Sequence, residues 1–184
     1  MPTARATDIR DAARTLFARR GYEATSMRAI ADEADVSLGL AYNYFSGKEA
    51  LLQSIVEEGT AQVTATLDEL DGSAPPEDRL RRFVRASLDT VRTNRAFWQL
   101  LYGLRHQPEA LAPLPDDLVA LNQDIHARLR NLFRELGDET PEVSARLLYA
   151  TLDGAGQHYV RAPESYPLDA VIEQIVSRFS TPDE

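Results

Sequence analysis

The stretch LGLAYNYFSGKEALL, from Leu38 to Leu52, contains a short helical pattern, a break and the beginning of a longer helix. Ser37 precedes it in a position suited to an N-cap. Its aromatic cluster, Tyr42-Asn43-Tyr44-Phe45, is followed by Lys48, the only lysine in the chain. The segment from Val36 to Gly47 is also the longest without a charged residue. A helix face surrounded by water normally carries Lys or Glu, so this uncharged face indicates contact with a partner.

The residues before this stretch predict two further helices. The first has an apolar stripe and ends at Gly21, which is suited to a C-terminal cap. Thr25-Ser26 then provides an N-cap for a short second helix. Only Ala34-Asp35-Val36 separates this helix from the third, an arrangement typical of a helix-turn-helix, whose second helix lies in the DNA major groove. On the outward side of the third helix we expect Ser37, Leu38, Gly39, Tyr42 and Asn43. On its core side we expect Val36, Leu40 and Phe45.

The rest of the chain also shows apolar residues at helical spacing and no strand pattern. The segment from Asp71 to Pro76 is the clearest break. Five helical patterns follow it, at about 77–92, 94–106, 116–136, 141–161 and 168–180. We predict an all-α fold with about nine helices, divided into a helix-turn-helix DNA-binding domain over residues 1–48 and a helical domain over residues 49–184.

Charge is distributed unevenly along the chain. Residues 1–50 hold seven basic and seven acidic side chains, so the remaining residues carry the whole net charge of −9. This distribution is compatible with DNA binding at one end only. The chain has no cysteine, which excludes disulfides and thiolate metal sites. Neither a signal-peptide pattern nor a membrane-spanning segment is evident, so we expect a cytoplasmic protein without membrane association.

The segment from Ile9 to Leu52 resembles the N-terminal domain of the TetR/AcrR family of bacterial transcriptional regulators. The matching elements are Ala12-Ala13, Leu16-Phe17, Gly21-Tyr22, Thr25-Ser26, Ile30-Ala31, Val36-Ser37, Tyr42-Asn43-Tyr44-Phe45, Lys48-Glu49 and Leu51-Leu52. They cover about a quarter of the chain at nearly fixed spacing. Two positions depart from the family pattern: Asp35 stands where glycine is usual in the turn, and Asn43 stands where histidine is frequent. Aspartate tolerates a left-handed backbone better than most residues, so we expect the turn to form.

The resemblance implies which side chains contact DNA. Tyr42 and Tyr44 would place hydroxyls on phosphates, and Lys48 would add a charged phosphate contact. Thr25 or Ser26 would cap the second helix and present a hydroxyl and an amide to another phosphate. Arg28 would reach a base edge, that of guanine, through the O6 and N7 acceptors. The candidates for sequence discrimination are Ser37, Leu38, Gly39 and Asn43.

Each contact has an alternative interpretation. Tyr42 and Tyr44 would simply pack as core residues of an amphipathic helix. Lys48 would be an ordinary solvated residue at a helix start. Arg28 would form a surface salt bridge with Asp32, four residues further on.

For the helical domain, the resemblance implies a small-molecule effector and a homodimer. The dimer would form through the helices at about 141–161 and 168–180, the first of which contains the Leu152-Asp153-Gly154 element. The alternative is that these helices only close the core of one chain. The candidate ligand-binding residues are Trp98, Gln99, Tyr102, His106, Tyr149 and Asp153, although ordinary packing or a surface position also explains each of them. The three histidines show no metal-ligand spacing, so we expect no metal or other cofactor.

The leading hypothesis is a ligand-responsive regulator, specifically a repressor, that binds a double-stranded, pseudo-palindromic operator. An enzyme is disfavoured because the sequence contains no recognisable catalytic motif. The third possibility is a helical interaction module that has lost DNA binding, which the small number of basic residues near the helix-turn-helix would favour.

Overall fold

The computed structural model describes residues 4–105 and 117–180, and every regular element within these ranges is helical. The prediction of an all-α fold with about nine helices is confirmed for the described chain. The helices are α1 (Ala4–Arg20), α2 (Met27–Glu33), α3 (Leu38–Tyr44), α4 (Lys48–Leu67), α5 (Pro76–Thr93), α6 (Arg95–Leu104), α7 (Asp117–Glu135), α8 (Pro141–Arg161) and α9 (Leu168–Ser180). A short 3-10 turn, Asp68–Leu70, follows α4. Among the described residues, no helix has both the length and the apolar character needed to cross a lipid bilayer.

Local sequence signals set the limits of the helices around α3. Gly21 ends α1 with a φ of +87°, the left-handed conformation that glycine adopts without steric cost. The Ser26 hydroxyl accepts from the Ala29 N–H at 3.2 Å, and the Ser37 hydroxyl accepts from the Leu40 N–H at 3.1 Å. Each serine satisfies an N–H group that has no partner within its own helix. The short helices α2 and α3 therefore begin where the capping pattern predicted.

The described chain forms two compact units. The first contains residues 4–60 and 96–105, so most of α6 groups with the helix-turn-helix. The second contains residues 61–95 and 117–180. The boundary expected between residues 48 and 49 lies within the first unit, where Arg10 and Arg14 of α1 form ion pairs with Glu58 in the first part of α4. Its apolar residues Leu51, Leu52 and Ile55 are almost completely buried.

The core beneath α3 differs in detail from the prediction. α3 packs against α1 and α2, and its only fully buried side chain is Ala41. Val36, Leu40 and Phe45, which were expected to form this core, are half-buried. The small methyl group of Ala41 fills the contact with the neighbouring helices, while the larger side chains lie around its edge.

In the second unit, α5 packs against α8 and α9, and α7 packs against α8. A buried cation, Arg79, is located at the beginning of α5 with 6% of its surface exposed. Its guanidinium donates to the Leu70 carbonyl at 2.9 Å and to the Ala74 carbonyl at 3.1 Å, and pairs with Glu135. These contacts tie the segment after α4 to α5 and α7. Apolar periodicity alone gave no indication of this buried arginine.

Candidate nucleic-acid interface

The turn between α2 and α3 contains a left-handed residue that is not glycine. Asp35 has a φ of 51°, as expected from the tolerance of aspartate for this conformation. Its N–H donates to the Asp32 carbonyl at 3.3 Å, and the Val36 N–H donates to the Ala31 carbonyl at 3.0 Å. These bonds close the turn and fix the direction in which α3 leaves α2.

The turn leaves a continuous uncharged face of α3 open to solvent. Tyr42 is 50% exposed and Tyr44 is 39% exposed, so the interpretation of these two residues as core is wrong. Ser37, Gly39 and Asn43 are also exposed, whereas Leu38 is half-buried. We call the surface formed by Ser37, Leu38, Gly39, Tyr42, Asn43 and Tyr44 the α3 face.

Thr25 is placed differently from the other predicted DNA-contact residues. It is only 2% exposed, and its hydroxyl donates to the Gly21 carbonyl at 2.8 Å. Its backbone N–H donates to the Tyr22 carbonyl at 3.2 Å. Because both donors are used within the chain, Thr25 stabilises the segment between α1 and α2 and has no free donor for a phosphate. Ser26 alone is the N-cap, and its side chain is exposed.

Lys48 is anchored at the beginning of α4. Its Nζ donates to the Tyr22 carbonyl at 2.9 Å and lies 4.5 Å from the centroid of the Tyr22 ring. The side chain is half-buried, so the description as an ordinary solvated lysine does not apply. Burial and, after it, the charges of Glu49 and Glu23 raise the pKa of Tyr22, which therefore remains neutral beneath the ammonium group. Lys48 also borders a shallow cleft together with Ser26 and Tyr42.

Arg28 in α2 is exposed, and it forms no ion pair with any residue that the structure describes. The alternative expectation, a salt bridge with Asp32 one turn later, is therefore not observed. The guanidinium is available for an external partner.

The candidate ligand residues of α6 are involved in packing within the first unit. Gln99 donates from Nε2 to the Ala18 carbonyl at 2.9 Å, near the end of α1. Phe97 is buried and packs against Gly59 of α4, where any added Cβ would collide with the Phe97 ring. The rings of Trp98 and Tyr102 lie 5.6 Å apart. These contacts attach α6 to α1 and α4, and the Gln99 amide is already engaged by the fold.

The candidate ligand residues of α8 belong to the second unit. The Tyr149 hydroxyl accepts from Asn122 Nδ2 at 2.7 Å, and its ring lies 4.6 Å from that of His126. Burial, followed by the nearby Arg146, lowers the pKa of His126. Asp153 accepts from Gln157 at 2.8 Å. His106, the remaining candidate, lies outside the described residues. The described contacts do not bring the α6 and α8 candidates together within one unit, so the ligand site remains a prediction.

A second exposed face lies on α8 and α9. Val143 and Leu147 are 53% and 56% exposed, although both are aliphatic. Leu147 also borders a mainly apolar cleft, whose other lining residues are Thr151, Ala170, Val171, Gln174, Ile175, Arg178 and Phe179. We call this surface, together with Val143, the α8–α9 face. Leu168 and Ile172 on α9 are buried within the chain, so only part of the apolar surface of α8 and α9 closes its own core.

Two family models match the chain in the order of its helices. Residues 9–55 match the model of the tetR family of bacterial regulatory proteins. Residues 76–180, more than half of the chain, match the C-terminal model of BetI-type transcriptional repressors. The chain belongs to the TetR family. Proteins of this family are transcriptional regulators and not enzymes, in agreement with the expectation from the sequence.

Individual relatives give the same assignment. The transcriptional repressor KstR2 of Rhodococcus jostii (strain RHA1) is 35% identical over 137 residues, which cover 72% of this chain and 61% of KstR2. The HTH-type regulator YfiR of Bacillus subtilis (strain 168) is 34% identical over 110 residues, which cover 60% of this chain and 47% of YfiR. The match thus spans only about half of YfiR. The crystal structure of a TetR-like transcriptional regulator from Rhodococcus sp. RHA1 superposes with a TM-score of 0.82 at 26% identity, over 97% of this chain and 96% of that chain.

Proposed function

We propose that the protein is a cytoplasmic repressor that binds a pseudo-palindromic DNA operator as a homodimer and leaves it when a small molecule binds to its helical domain. The observation that carries this proposal is the α3 face, an exposed and uncharged helix surface with Lys48 beside Tyr42, together with the exposed Arg28 on α2. The name of its relative KstR2, a repressor, supports the direction of regulation.

On the operator, the α3 face would enter the major groove. Tyr42 and Tyr44 would donate hydroxyl hydrogens to phosphates at the sides of the groove. Lys48 has three ammonium hydrogens, of which the Tyr22 carbonyl takes one at 2.9 Å and the Glu23 carbonyl another at 3.5 Å, so one donor remains for a phosphate while the side chain is held in position. Arg28, free of internal ion pairs within the described chain, would read a guanine edge.

The α8–α9 face would form the dimer. An isologous interface brings the same patch of two copies together. Exposed aliphatic side chains such as Val143 and Leu147 would therefore be buried in both copies. The dimer would present two α3 faces to successive major grooves. The effector would act by favouring an arrangement in which the two faces no longer match the half-sites.

The test is fluorescence anisotropy with DNA from the region upstream of the gene and with duplexes selected from a random library. Wild-type protein is expected to bind a selected duplex saturably, with a log–log salt slope near −4 to −5 if each subunit neutralises about two to three phosphates. Tyr42→Phe removes only the hydroxyl and should weaken binding roughly tenfold or more. Tyr159→Phe, the same change in α8, is the matched control and should leave the affinity unchanged.

Two results would contradict the proposal. If wild-type protein shows no saturable binding at any salt concentration, the chain is an interaction module that has lost DNA binding. If Tyr42→Phe binds as tightly as Tyr159→Phe, DNA binding does not use the Tyr42 hydroxyl.

A further inference from the structure

The α3 face contains one planar amide with unused hydrogen-bonding groups. Asn43 is exposed, and no described residue forms a hydrogen bond with its side chain. The hydroxyl of Ser37, in contrast, already accepts from the Leu40 N–H at 3.1 Å as the N-cap of α3. Asn43 is therefore the residue of this face that offers a free donor and a free acceptor side by side.

Gly39 lies one turn before Asn43, on the same side of the helix. Its φ does not lie in the left-handed region, and an added Cβ would meet no atom within 4 Å. The fold therefore has no need of glycine here, although glycine within a helix lowers helix stability. The missing side chain has a consequence only outside the chain, since it lets a partner approach the α3 backbone and leaves the Asn43 amide uncovered.

The chemistry of the α3 face favours one kind of base pair. Arginine and lysine are the side chains that most often read guanine in the major groove, and α3 contains neither. Asparagine pairs in bidentate fashion with N6 and N7 of adenine, and apolar side chains contact the thymine methyl group. The face combines Asn43 with the half-buried Leu38.

We propose that Asn43 reads an adenine in each operator half-site, that Gly39 permits the close approach this requires, and that Leu38 packs against a neighbouring thymine methyl. This inference rests on the proposed DNA-binding function and adds the chemical identity of the base pairs that α3 recognises. Any guanine at the edge of the half-site would be contacted by Arg28, which lies on α2.

The experiment is selection of bound sites from a random duplex library by the full chain and by its Asn43→Ala and Asn43→Asp variants, followed by anisotropy on the selected duplex. Wild-type protein is expected to select an adenine at one position of each half-site. Asn43→Ala should lose the preference at that position alone, and because the dimer loses one pair in each half-site it should bind the wild-type site at least about 30-fold more weakly. Asn43→Asp should shift the preference there to cytosine, because a carboxylate accepts from the cytosine N4 amino group.

A base analogue gives an independent measurement. Replacing the selected adenine by 7-deazaadenine removes the N7 acceptor, which should weaken binding by wild type but not by Asn43→Ala. The same replacement at another adenine of the duplex is the control. Circular dichroism and sedimentation establish that each variant is folded and has the oligomeric state of wild type.

Two outcomes distinguish the inference from the function on which it rests. If Asn43→Ala selects the same site with an unchanged preference at every position, the inference is overturned while DNA binding stands. If wild-type protein enriches no sequence, the proposed function fails together with the inference.

Discussion

The described chain exposes four large hydrophobic side chains, and they divide equally between two faces. Tyr42 and Tyr44 belong to the α3 face, whereas Val143 and Leu147 belong to the α8–α9 face. The tyrosines end in hydroxyl groups, so their rings can be covered by a partner that also accepts hydrogen bonds, as phosphates do. The aliphatic pair offers no polar atom, so it suits a surface as apolar as itself, such as a second copy of the chain.

This comparison shows that exposed apolar area does not by itself indicate the class of partner. The polar atoms carried by the exposed residues and by their neighbours distinguish the two faces. Lys48 is close to the α3 face, and its Nζ is held 2.9 Å from the Tyr22 carbonyl. Beside Leu147, the residues that border the cleft are mainly apolar.

The largest effect is expected from Leu147→Glu on the α8–α9 face. An isologous dimer would bury two carboxylates in a mainly apolar surface, and removing such charges from water costs several kcal/mol per ion even with Arg178 in the same cleft, so dimerisation should weaken at least about 100-fold. DNA affinity should fall with it, because a monomer engages one half-site. Analytical ultracentrifugation and anisotropy measure the two effects.

Leu147→Met is the matched control for this prediction, since it keeps an apolar side chain of similar volume and should remain dimeric. A Leu147→Glu protein that stays dimeric at the same concentrations would show that the dimer forms elsewhere on the chain.

A smaller effect is expected from Lys48→Met beside the α3 face. Methionine keeps a long side chain over the Tyr22 ring but removes the charge and the donors. DNA binding should weaken about tenfold, and the salt slope of the dimer should become shallower by about 2, because one phosphate contact is lost per subunit. Dimerisation should not change.

Lys48→Arg serves as the control, because it keeps the charge and should preserve the slope. If Lys48→Met and wild type have equal slopes, the ammonium group binds only the Tyr22 and Glu23 carbonyls and no phosphate.

The α3 face was largely predictable from the sequence because the signals that create it are local. Ser26 and Ser37 cap helices through bonds to residues three positions away, and Gly21 ends α1 through its own φ. The same few residues include Tyr42 and Tyr44 and no charged side chain, a pattern that predicted an exposed aromatic pair. The family resemblance supplied the expected role of each side chain.

Hydrogen bonds of polar side chains account for what the sequence did not reveal. Thr25 stands beside the cap residue Ser26, yet it is buried because its hydroxyl reaches the Gly21 carbonyl. Gln99 was a ligand candidate, but its amide donates to the Ala18 carbonyl, 81 positions earlier. Arg79 is buried because Leu70, Ala74 and Glu135 converge on it. Apolar periodicity contains no information about the hydrogen-bond partners of these polar side chains.

The smallest effect concerns the turn that orients the α3 face. Asp35 holds a φ of 51°, which costs a non-glycine residue about 1 kcal/mol and aspartate somewhat less. Asp35→Gly relieves this cost but makes the unfolded chain more flexible, so a net gain in stability of about 0.5 kcal/mol is expected from urea denaturation. Asp35→Asn keeps the tolerance for this conformation and removes one negative charge near the α3 face. It should leave stability nearly unchanged and strengthen DNA binding by about twofold at low salt, with the difference disappearing at high salt. A loss of stability in Asp35→Gly would show that the aspartate stabilises the turn through its side chain, and the α3 face would then depend on Asp35 itself and not only on the backbone conformation at this position.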